Sequence, residues 1–263
     1  MALPQQAATR RSPREPLVLI PLGAQDVLRR RRRLALTALL TGALGVAVIA
    51  FAYQRSVDPL HARQSYDAGM RLLSIAGYNQ AALAFDRAVG LKPDFADAFL
   101  MRGNAYAADS RTDQAILDFG RVIELQPSDP RGWLARGAAY LELKKVLLAL
   151  ADADRAIALD RRLAAAFNLR GLAERSMGDA RRAIGDFNAA VALEPNVDNY
   201  YQRGATYQML DEHARAIADM DRVIELRPSA PLGYLARAQS RRAIGDFEGA
   251  QADQVRASSI EGR

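Results

Sequence analysis

The stretch 96–129, ADAFLMRGNAYAADSRTDQAILDFGRVIELQPSD, runs directly into 130–163, PRGWLARGAAYLELKKVLLALADADRAIALDRRL. Laid one over the other, the two stretches align across 34 positions. Phe99 falls on Trp133, Arg102 on Arg136, Gly103 on Gly137, Ala115 on Ala149 and Asp118 on Asp152. Self-similarity at a fixed period of this size is the mark of a repeat architecture. Working outward, the same register gives six units, 62–95, 96–129, 130–163, 164–196, 197–230 and 231–263, the fourth one residue short.

Small residues recur where two helices must cross. The eighth position holds Gly69, Gly103, Gly137, Gly171, Gly204 and Ala238, and the twentieth holds alanine in every unit, Ala81 to Ala250. Only small side chains permit so close a backbone approach. Large residues flank them: Phe99, Trp133, Phe167, Tyr200 and Tyr234 at the fourth position, Phe85, Phe119 and Phe187 at the twenty-fourth. Pro93, Pro127, Pro195 and Pro228 end the second helix of their units. No single hairpin of this kind buries its apolar faces, so the units must stack.

This pattern resembles the tetratricopeptide repeat family over residues 62–263. The resemblance implies an all-α, right-handed solenoid of about six helix–turn–helix units, and a protein that binds other proteins. Departures are local: Ser65 at the first fourth position, Glu174 where the family has tyrosine, and Arg241 and Gln254 in the last unit.

A charged regularity accompanies the apolar one. Arg102, Arg136, Arg170, Arg203 and Arg237 occupy the seventh position of units two to six, and Asp118, Asp152, Asp186, Asp219 and Asp253 the twenty-third. Unit one has Ala68 and Ala84, so both members are lost together. Pairing within a unit leaves no orphan, which predicts five Arg–Asp bridges inside the repeats that fix helix register.

In the family the ligand lies on the concave face of the first helices. Carried over by position, that face includes Tyr66, Met70, Leu73, Leu100, Asn104, Leu134, Ala138, Leu141, Asn168, Leu172 and Tyr201. The lysine, asparagine and arginine set that clamps a C-terminal carboxylate is missing from the corresponding sites. The groove reads as apolar, with Asn104 and Asn168 able to bond a peptide backbone, and is expected to hold a segment of a partner protein. Unit three is the odd one: Lys144-Lys145 replaces glycine in its turn, and Leu147 and Leu148 follow where polar residues are usual. Adjacent exposed leucines predict an interface patch there.

No chemistry is legible. The chain has no cysteine, and His61 and His213 stand in no metal-ligand spacing. Asp152/Asp154 and Asp219/Asp221 are two apart on helices, diverging by ~200°, so they form no catalytic dyad. Phosphate loop, dinucleotide fingerprint and nucleophile elbow are all lacking. The expectation is a non-enzyme with no catalytic residue, metal, cofactor or small-molecule substrate.

The net charge of +6 lies in residues 1–33, where eight arginines face Glu15 and Asp26; the remaining 28 bases and 28 acids cancel. A neutral repeat region offers nothing to a phosphate backbone, so nucleic acid is not an expected partner. Residues 1–33 read as a disordered basic cytoplasmic tail. Residues 34–53 carry no charge and are long enough to span a bilayer. Arginines before the span keep the N-terminus inside, so the linker 54–61 and the repeats lie outside, in the periplasm of a bacterium, anchored to the inner membrane among envelope proteins. The alternative is a soluble binding or chaperone-like protein released after Ala52, since Ala50-Phe51-Ala52 fits a small-x-small cleavage site.

Overall fold

The computed structural model describes residues 29, 44–46 and 58–262. The chain divides into two units, 1–56 and 57–263. The apolar run 34–53 lies outside the described residues except at 44–46, which are helical and exposed. Among the described residues no helix is long and apolar enough to cross a membrane.

The second unit is a series of helices: α1 over 58–74, α2 Tyr78–Leu91, α3 Ala96–Ala108, α4 Thr112–Leu125, α5 Pro130–Glu142, α6 Val146–Leu159, α7 Ala164–Ser176, α8 Ala180–Leu193, α9 Val197–Met209, α10 His213–Leu226, α11 Pro231–Ala243 and α12 Phe247–Glu261. Each odd helix pairs with the next, and each pair packs on the following pair. The result is an all-α repeat solenoid. Residues 58–61, read as linker, are helical instead, because nothing after Pro59 breaks the helix.

The turns inside the hairpins are specified by register rather than by glycine. Ala76, Ser110, Lys144, Gly178, Asp211 and Gly245 stand at equivalent places, all with φ between 56° and 87°. Four of the six accept a left-handed conformation that costs an L-residue about 1–2 kcal/mol. Lys144-Lys145 therefore leaves the unit-three turn intact.

The core of a hairpin is an aromatic ring under a glycine. Phe85, Phe119 and Phe187 are fully buried. A Cβ on Gly103 would stand 2.5 Å from Phe119 Cε1, and one on Gly69 2.6 Å from Phe85 Cε1. In unit three Ala153 takes the aromatic's place, and Leu169 of α7 comes in over Gly137 instead. Between hairpins, Gly132 and Gly233 let α5 and α11 seat on Val122/Ile123 and Val223/Ile224.

The missing residue of unit four is in the loop after α8. That loop has three residues, 194–196, where the loops after α2, α4, α6 and α10 have four. The four-residue loops close when the N–H of the last residue donates to the carbonyl of the first, as Asp129 does to Gln126 at 3.0 Å. The short loop closes likewise, Asn196 N–H donating to the Glu194 carbonyl at 2.9 Å, and a side chain adds to it. Asn199, buried at a position that holds Ala98, Gly132, Ala166 and Gly233 elsewhere, donates through Nδ2 to the carbonyls of Ala190 (3.3 Å) and Glu194 (2.8 Å).

Candidate partner-binding groove

The first helices α1, α3, α5, α7, α9 and α11 stand side by side, and the residues assigned to the groove lie on them. Met70, Asn104 and Ala138 are exposed. Tyr66, Leu73, Leu134, Leu141, Asn168, Leu172 and Tyr201 are half-buried. Tyr66 is held by rings, with centroids 5.6 Å from Phe85 and 5.1 Å from Phe95. Leu100 must be removed from the groove: it is only 5% exposed and packs with Ala115, Phe119, Val122 and Ala139. The small Ala139 draws it inward, which the position within the repeat does not reveal.

The groove changes character along its length. Leu73 packs against the cluster that holds Ala105 and Met101, and Ala107 against the one that holds Ala139 and Ala135. Two units later the same place is occupied by Arg175. Its Nη1 donates to the Gln202 carbonyl (3.3 Å) and Thr206 Oγ1 (3.2 Å), and its Nη2 to Gln202 Oε1 (2.7 Å). Gln208 repeats the arrangement one unit on, donating through Nε2 to the Ala236 carbonyl and Ser240 Oγ, both at 2.7 Å. Burial holds the Arg175 guanidinium below its ordinary pKa. Next to this junction a cleft of about 340 Å³ is lined by Ala165, Asn168, Glu194, Asn196, Asp198 and Asn199. Asn168 Nδ2 donates to Asn199 Oδ1 at 2.7 Å, and both residues line the cleft. Sequence reading had Asn168 but missed Arg175, Gln202, Gln208 and Asn199. The signal was partial: these positions are small or apolar in units two and three, but Gln64, Asp67 and Arg242 are polar at the same places in the end units.

The arginines of the seventh position lie away from open solvent. Each chelates the aspartate of its own unit through Nε and Nη2, at 2.5 to 2.9 Å, in Arg102–Asp118, Arg136–Asp152, Arg170–Asp186, Arg203–Asp219 and Arg237–Asp253. These carboxylate hydrogen bonds hold all five guanidiniums above their ordinary pKa despite burial. The free Nη1 then reaches back to the preceding unit: Arg102 to Asp86 (2.7 Å), Arg170 to Asp154 (2.8 Å), Arg203 to Asn188 (3.0 Å) and Arg237 to Asp221 (2.6 Å). Gly120 stands at that place before Arg136, whose described carboxylate partner is Asp152 alone. Arg136 lies over the rings of Trp133 and Tyr140, at 5.1 and 5.7 Å, as Arg102 lies over Phe99 and Tyr106 at 5.3 and 5.9 Å. These bridges tie the two helices of each hairpin together.

In unit three, Leu147 is 72% and Leu148 48% exposed on the outer helix α6. Among the described residues no group of three histidine or acidic side chains is placed to hold a metal ion.

The model of the tetratricopeptide repeat matches residues 66–130, 100–165 and 168–231. No curated protein matches the chain in sequence. Among solved structures, PilW, a widely conserved type IV pilus biogenesis factor, is similar at a TM-score of 0.70 and 16% identity, over 75% of this chain and 92% of its own. The APC/C hetero-tetramer Cut9–Hcn1 gives a TM-score of 0.71 at 20% identity, over 79% of this chain, which spans only 42% of that one. TTC0263, a thermophilic protein of Thermus thermophilus, gives 0.60 at 18% identity, over 70% of this chain and 98% of its own. At these identities the likeness is one of fold.

Proposed function

The chain belongs to the tetratricopeptide repeat family, and from that premise we propose that it is a non-enzymatic scaffold that holds a segment of a partner protein in the groove of its first helices. The observation that carries this reading is the row Met70, Asn104 and Ala138, exposed at one repeat position on three successive first helices. Small and flexible side chains there leave room for an incoming chain, and the half-buried Tyr66, Leu134 and Leu141 beside them supply apolar walls. Replacing Asn104 and Ala138 together by arginine fills the row without touching the core. A pull-down from cell membranes with the intact and doubly substituted chains tests it. Loss of a partner with unchanged helix content supports the groove, and an unchanged partner list overturns it.

The location proposed rests on sequence. Residues 34–53 anchor the chain in the inner membrane with the arginine-rich tail inside and the repeats outside, among envelope proteins. The rival is release after Ala52 as a soluble binding protein, favoured by Ala50-Phe51-Ala52. Sequencing the N-terminus of the mature protein separates them: a start at Tyr53 sinks the anchor.

A further inference from the structure

Arg175 carries a charge that its place in the fold does not use. At the twelfth position of unit four it ties α7 to α9, donating to the Gln202 carbonyl and to Thr206 Oγ1. Gln208, at the same position of unit five, ties α9 to α11 through the equivalent acceptors, the Ala236 carbonyl and Ser240 Oγ. A neutral amide therefore suffices for the junction. Units one to three hold Leu73, Ala107 and Leu141 at this position, and unit six holds the exposed Arg242.

The charge also lacks a counter-charge. Every other half-buried arginine of the described residues has an aspartate within 4.0 Å. Among the described residues no carboxylate pairs with Arg175; its bonds go to neutral oxygens, and the ring of Phe187 lies 5.6 Å away. Burial pulls its pKa down, opposed by the Tyr201 phenol. Glu194 and Asp198 line the cleft beside Asn168, two turns or about 10 Å back along α7. A guanidinium partly withdrawn from water and without a counter-ion favours an incoming carboxylate, which forms charge-assisted hydrogen bonds to it.

Arg175 is open to such a ligand. It is half-buried rather than sealed, and it shares the repeat position that puts Leu73 and Leu141 in the groove. Leu172 precedes it by one turn on the same face, and Tyr201 lies on the neighbouring helix; both are half-buried. The groove continues on both sides, to Leu141 of α5 and Gln208 of α9, so a bound segment passes over Arg175 rather than ending at it.

We propose that Arg175 selects the occupant of the groove by receiving the side-chain carboxylate of an aspartate or glutamate in the partner's segment, whose neighbouring apolar residue packs on Leu172 and Tyr201. This rests on the groove reading and adds the chemistry of what the groove holds.

A library of short peptides with both ends blocked, selected on the full chain in detergent, reads the preference directly; a second library with free C-termini is run beside it. Retained peptides should be enriched in an acid flanked by an apolar residue. For the best of them, replacing the acid by its amide should weaken binding about ten- to hundredfold. Arg175→Gln in the protein should weaken it by the same factor, with no further loss when both are changed. Gln208 shows that glutamine keeps the junction, so Arg175→Gln should keep the helix content. The peptide replacement, made against the parent protein, tests the contact even where the variant is less stable. Arg181→Gln, which removes an exposed arginine of α8, should leave binding unchanged. Retained peptides without an acid, an equal loss with Arg181→Gln, or retention only through a free C-terminus overturns the proposal. Binding that falls with Asn104→Arg plus Ala138→Arg but not with Arg175→Gln also overturns it, and leaves the groove standing. Binding indifferent to all of these variants, or no peptide retained, overturns the groove reading itself.

Discussion

Asp152 and Asp154, two residues apart on α6, hold arginines of two different repeats: Asp152 chelates Arg136 of its own unit and Asp154 receives Arg170 of the next. Divergence on the helix, the reason they form no catalytic pair, is what lets one helix bond both ways. Asp219 and Asp221 do the same with Arg203 and Arg237. A stacked array is stabilised by its units and by the contacts between neighbours, and each aspartate pair contributes to both.

The two aspartates of such a set should differ in weight. Asp118 is buried and Asp86 exposed, though both bond Arg102. Asp118→Ala leaves a half-buried guanidinium short of its main partner and is expected to cost about 3 kcal/mol. Asp86→Ala should cost less than about 1 kcal/mol. Urea unfolding of the two variants gives the comparison, and equal losses would contradict the assignment.

Gly120 is the gap in the series, and nothing lies within 4 Å of a Cβ placed there. Gly120→Ala should stabilise by about 0.5–1 kcal/mol through helix propensity. Gly120→Asp should add a few tenths more by engaging Arg136. The extra gain must vanish in the Arg136→Gln background, measured as a double-mutant cycle.

How much of this was legible beforehand depends on whether a residue acts within its unit or between units. Gly103 and Phe119 recur with their unit, and the spacing alone brings them together. The second carboxylate did not emerge, because its position alternates Asp86, Gly120, Asp154, Asn188 and Asp221 and looks like surface noise until the hairpins are stacked. Leu100 failed for the same reason: whether it faces a groove or a core is decided by Ala139 on the next unit.

The ring under glycine is a steric statement that can be reversed. Gly103→Ala sets a methyl 2.5 Å from Phe119 and should cost about 1–3 kcal/mol by overpacking. In a Phe119→Leu background the same methyl has space, so its cost should fall well below that figure. Thermal unfolding of the four proteins of the cycle decides it.

Glu174 gives the solenoid a pH dependence of unusual sign. Its Oε2 is buried with no hydrogen-bond partner. Burial, then the neighbouring Asp186, raise its pKa above the ordinary 4.5, against Arg170; Asp179 adds to the rise and Arg182 opposes it. A carboxyl group whose folded pKa is raised binds its proton more tightly in the folded chain, so its charge opposes folding at neutral pH. That penalty should be relieved as pH falls through the raised value and be gone below 4.5. Glu174→Gln should therefore unfold at higher urea than the parent at pH 7, with the difference closing on acidification. A difference constant with pH would refute it.

The three-residue loop after α8 and the amide of Asn199 that bonds to it lie on opposite sides of a unit boundary. Repeat arrays grow and shrink by copying or losing whole units, and most units here end on the same four-residue loop. The fourth and fifth are coupled by this amide. A junction that parts them sets a short loop before alanine or glycine and takes the Asn199 amide from the carbonyls of Ala190 and Glu194, leaving them the backbone N–H groups of Glu194 and Asn196 alone. In repeat engineering, the junctions that keep this pairing lie on either side of the two units.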